Sequence, residues 1–94
     1  MAAASLLLLC LACHTSLQIK DVKVNDNCDE LCLSWITNMD AKCKVSFCDD
    51  TQCFVTEVEP EWSLLHSITI PQSAHRIQIW VESRDGQNTV FVLR

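Results

Sequence analysis

Ninety-four residues allow one domain at most. Seven Lys and Arg are scattered among twelve Asp and Glu, a formal net charge of −5 at pH 7. That balance excludes nucleic acid and anionic membrane surfaces as partners, because both need concentrated positive charge, and it weakly favours a basic partner.

The chain opens without a charged side chain before Lys20, and Ala2 to Cys13 form an apolar run. The run is too short to span a bilayer and has the length of a signal-peptide core, although a basic stretch ahead of it is missing. A cut after Ala12 or Thr15 leaves small or compact residues at the junction. Residues 1–15 are therefore read as a signal peptide and 16–94 as the domain of a secreted or extracellular protein. Cleavage leaves roughly 79 residues, near the limit for a core that stands alone. No second apolar run is long enough for an anchor, and no Asn-x-Ser/Thr sequon exists.

Ile19 to Val24 predicts a first strand, and the polar stretch Asn25 to Glu30 a turn. Leu31, Leu33 and Trp35 then repeat at period two, with Cys32 and Ser34 on the opposite face. Thr37 to Ala41 reads as the next turn. Cys43, Val45 and Phe47 form another inward face, with Lys42, Lys44, Ser46 and Cys48 outward. Asp49 to Gln52 is a loop with a cysteine at each end, after which Phe54 and Val55 resume the apolar pattern. Glu57 to Ser63, acidic and holding Pro60, reads as a connection. Leu64 to Ile70 predicts a strand ended by Pro71. In the strand that follows, Ile77, Ile79 and Val81 share one face and Arg76, Gln78, Trp80 and Glu82 the other. Asp85-Gly86 holds the chain's single glycine where a hairpin needs positive φ, and Asn88 to Leu93 completes the set. Seven short strands at this spacing, with no helix beyond the leader, predict a β-sandwich, and such an edge predicts a binding module.

The domain keeps five cysteines: Cys28, Cys32, Cys43, Cys48 and Cys53. Secretion predicts bridges among them. Cys48 with Cys53 closes a loop so short that it gains roughly 2 kcal/mol. Cys28 pairs with Cys32, or Cys32 with Cys43, and an inward Cys43 would be a buried free thiol. The odd number leaves a thiol that is free, bound to another chain, or bound to a segment not present. The spacing matches no standard zinc pattern, so no metal or cofactor is expected. His66 and His75 come with no nucleophile motif, and the acidic runs read as solvated charge, so the chain is expected not to be an enzyme. Trp80 is a candidate partner-binding residue with Arg76 stacked on it, or it covers the sheet or packs on a missing second domain. Trp62 either anchors a partner or packs over the sandwich end. Trp35 belongs to the core.

These residues resemble a known family. Leu31-x-Leu33-x-Trp35 is similar to the second strand of a fibronectin type III domain, Cys43-x-Val45-x-Phe47 to its third, and Ile77-x-Ile79-x-Val81-x-Ser83 with Gly86 to its sixth strand and following turn. Over residues 19–93 the order and spacing imply a seven-stranded, immunoglobulin-like sandwich. Val45 to Cys48, Cys53 and Ser67 to Pro71 resemble the amino-terminal cytokine-binding domain of the interleukin-6 receptor family, the leukaemia inhibitory factor receptor type being nearest. The resemblance implies an extracellular module that binds a cytokine or co-receptor without catalysis, as a truncated isoform or amino-terminal fragment. The chain departs from the pattern at Leu33, where the family places a cysteine, and at Ile77, where it often has tyrosine. Glu61-Trp62-Ser63 is a fragment of the Trp-Ser-x-Trp-Ser signature of the family's second domain. The alternative is a small disulfide-stabilised secreted inhibitor or defence protein.

Overall fold

A computed structural model describes residues 15–93. The leader expected over residues 1–15 lies, apart from Thr15, outside the described residues. What is described is all-β, with six strands: β1 (Ile19–Asn27), β2 (Glu30–Cys48), β3 (Cys53–Glu57), β4 (Ser63–Pro71), β5 (His75–Ser83) and β6 (Asn88–Val92).

The expected turn at Thr37 to Ala41 is not one. The two strands expected on either side of it are a single 19-residue strand, β2, and this reduces seven strands to six. No glycine or proline interrupts residues 30–48, and pairing carries the backbone through. Ala41 lies opposite both Ser63 of β4 and Ser83 of β5, across a register shift after Ile36.

The first half of β2 pairs with β1 and β4, the second half with β3 and β5, and β5 pairs with β6, all antiparallel. Chain connectivity then forces β2 to curl. Glu30 lies opposite Pro71, Cys48 lies opposite His75, and just Gln72, Ser73 and Ala74 separate Pro71 from His75. That link spans about 14 Å at most, whereas β2 drawn straight would separate its ends by roughly 60 Å. The sheet therefore folds back on itself, and its halves face each other as two layers.

The apolar alternation of both halves fills the space between the layers. Leu31, Leu33 and Trp35 from the first half of β2 join Val45 and Phe47 from the second half, Ile70 of β4, and Ile77, Ile79 and Val81 of β5. Burying each aliphatic side chain contributes about 1.5–3 kcal/mol. Ser16 and Leu17 dock on the same core: Leu17 is buried, its N–H donates to Gln87 Oε1 at 2.9 Å, and the Ser16 carbonyl accepts from Asn38 Nδ2 at 2.8 Å.

Turn chemistry is local. Gly86 adopts φ +88° in the β5–β6 loop, where its N–H donates to the Ser83 carbonyl at 3.1 Å. Asp49 Oδ1 accepts from the N–H groups of Thr51 and Gln52 at 2.8 and 2.9 Å, closing the loop whose ends the Cys48–Cys53 disulfide joins.

Candidate functional site

The four strands β3, β2, β5 and β6 turn one face inward and the other to solvent. Their register sets the outward side chains in rows. One row runs Glu57, Lys44, Trp80, Val90, and the next runs Val55, Ser46, Gln78, Val92. Lys42, Glu82 and Asn88 follow as a third row. Trp80 is 46% exposed and Val55 70%, and the Trp80 indole is steered by donating Nε1–H to Ser46 Oγ at 3.0 Å. The face forms an open groove of about 840 Å³, whose lining includes Lys44, Val55, Glu57, Trp80 and Val90. An aromatic with aliphatic neighbours, flanked by lysine and glutamate, can bind a protein surface.

The other singled-out residues are placed differently. Arg76 has φ +54° at the register shift where Cys48 pairs with His75, so it leaves the regular Gln78–Trp80–Glu82 row. The cation stacking anticipated at Trp80 is found at Trp62 instead: Lys42 Nζ lies 4.9 Å and Arg84 Cζ 5.3 Å from that ring's centre. Among the cysteines, Cys48 and Cys53 are joined, while Cys28 and Cys32 remain thiols rather than the expected pair. Cys28 sits at φ +64° in the β1–β2 turn, and Cys32 is carried along the ladder between Asn25 and Thr69. An extended strand rises about 3.3 Å per residue, which draws Cys32 away from that turn. Cys43 is an inward thiol, 2% exposed, and Cys32 is not bonded to it.

A second constellation is buried between the layers. His66 of β4, 3% exposed, stacks on Trp35 with ring centres 5.7 Å apart. Its Nε2 lies 2.9 Å from Thr37 Oγ1, and its Nδ1 is in short contact with Glu59 Oε1. Ser63 Oγ stands 3.2 Å from the same carboxylate oxygen. Cys43 completes the group: burial pushes its thiol up to about 11, the Trp35 N–H works against that, and the Glu59 carboxylate adds to it. The indole Nε1 of Trp35 has no partner of hydrogen-bond geometry. Such a thiol stays protonated at neutral pH and is no nucleophile.

Sequence spacing alone does not bring these residues together. Glu59 belongs to a stretch read as a solvated acidic connection, but the connection folds along the edge of β2, where the Val58 N–H donates to the Cys43 carbonyl at 3.0 Å. The signal for His66 was present: it is in phase with Ile68 and Ile70, so period two places it inward.

Among the described residues no helix is long and apolar enough to cross a membrane. Comparison with known proteins returns no matching family model, no matching curated protein and no matching solved structure.

Proposed function

We propose that the chain is an extracellular protein-binding module of the cytokine-receptor kind, engaging a cytokine or co-receptor without chemistry. The observation that carries this reading is the outward row Glu57–Lys44–Trp80–Val90, with Val55 and Val92 beside it. Tryptophan is the residue type most enriched at binding hot spots, and charges at the edge of such a patch set register and encounter rate. The strand grouping supports the same reading. β1, the first half of β2, and β4 make one layer, and β3, the second half of β2, β5 and β6 the other. A fibronectin type III-like sandwich whose second and third strands run into each other would have this grouping. The net charge of −5 favours a basic partner.

The test is a surface-binding screen of the secreted full chain against a panel of helical cytokines. The reading expects a saturable partner whose affinity drops at least tenfold in Trp80→Ala, with the melting temperature kept. Binding that Trp80→Ala leaves intact, or a panel without binders alongside inhibition of a protease, would replace it with the secreted-inhibitor reading.

A further inference from the structure

We infer that Cys43, Glu59 and His66 form a binding site for one zinc ion. The three donors come from three segments: β2, the β3–β4 connection, and β4. Their ligand atoms, a thiol sulfur, a carboxylate oxygen and an imidazole nitrogen, lie within 4.8 Å of one another. Zinc bonds of 2.0–2.3 Å set donors about 3.5 Å apart in a tetrahedron, so side-chain shifts of about an ångström complete the site. Mixed sulfur, nitrogen and oxygen donors suit zinc better than magnesium or calcium, and three protein ligands leave the fourth position for water or a partner's side chain.

The surroundings orient these donors. The Thr37 hydroxyl donates to the Met39 carbonyl at 2.9 Å, so its lone pair accepts from His66 Nε2–H. That assignment turns His66 Nδ1 toward Glu59 and Cys43, the arrangement in which a histidine ligates through one nitrogen while the other is held by a polar neighbour. Zinc takes the place of the Cys43 thiol proton, and the thiolate and the Glu59 carboxylate together balance the charge of Zn²⁺. The partnerless Trp35 Nε1–H is beside the sulfur and can donate to the thiolate that binding creates. The Glu59 side chain keeps 26% of its exposure, so the site meets solvent at that ligand.

The test is titration of the full chain with Co²⁺ as the spectroscopic stand-in for zinc, with the Cys48–Cys53 bridge intact. One equivalent should raise a thiolate-to-cobalt charge-transfer band, release the thiol proton into weak buffer, and be displaced by zinc. The band should survive replacement of Cys28 and Cys32 by serine, vanish in Cys43→Ser, and need at least tenfold more metal in Thr37→Val. Cadmium NMR on the unsubstituted chain should give one resonance in the range of a single sulfur ligand, which guards against a variant that fails to fold. A folded chain without the band, or a band that tracks Cys28 and Cys32 instead of Cys43, would overturn the site.

Discussion

The two outward faces of the folded-back sheet are built on the same strand and differ in the side chains they present. On the first layer the rows read Asn25, Cys32, Thr69 and Lys23, Ser34, Ser67, polar apart from Cys32 and the neighbouring Ile36–Leu65 pair, of which Leu65 is exposed. On the second layer they read Glu57, Lys44, Trp80, Val90 and Val55, Ser46, Gln78, Val92. Hydroxyl-bearing residues offer little area to desolvate, whereas Trp80 and the valines offer a great deal. The proposed binding therefore rests on the second layer, where the exposed tryptophan and valines sit together in adjoining rows.

The sharpest way to break this comparison is to exchange tryptophans. Trp35→Ala empties the centre of the core and should cost about 3–5 kcal/mol in urea unfolding. Trp80→Ala should stay within about 1 kcal/mol, because its ring faces solvent. Equal losses would mean that Trp80 is also a packing residue. Two glutamates on either side of Val58 give the next contrast. Glu59→Ala strands the buried His66 and should cost about 1–3 kcal/mol, while Glu57→Ala on the outer face should cost no more than about 0.5 kcal/mol.

Smaller effects probe the turns. Gly86→Ala should cost about 1 kcal/mol, since φ +88° disfavours a Cβ even though the space around it is open. Cys28→Gly should have the opposite sign, stabilising the chain by relieving φ +64° at a side-chain-bearing residue. Both can be read from midpoints of chemical unfolding. Last comes acid. Backbone N–H groups of Thr51 and Gln52 hold Asp49 below its ordinary 3.8, and the Ser83 and Gln87 side chains do the same for Asp85. The folded chain keeps these carboxylates ionised where the unfolded chain takes up protons, so their stabilisation is present above that range and is lost as pH falls through the folded values. In a stability–pH series, Asp49→Asn should flatten this acid limb; an unchanged slope would remove Asp49 from the account.

Much of the fold was legible because it rests on period two and on turn chemistry. Leu31-Leu33-Trp35, Cys43-Val45-Phe47 and Ile77-Ile79-Val81 each announce an inward face, and Asp85-Gly86 announces the last hairpin. The continuity of β2 was not legible, since it depends on what Ala41 pairs with in β4 and β5, partners far away in sequence. The outward position of Trp80 followed from alternation, but the shift that displaces Arg76 did not. Glu59 was misread for a related reason: composition marks a segment as polar and does not tell which carboxylate turns toward a buried histidine.

The most direct measurement uses the three indole N–H signals of a nitrogen-labelled chain in the presence of a soluble nitroxide. The Trp80 signal should broaden while that of Trp35, 2% exposed between the two layers, persists. Equal broadening of Trp35 and Trp80 would mean that the layers are not closed on each other, and would contradict both the fold-back and the division of labour between the faces.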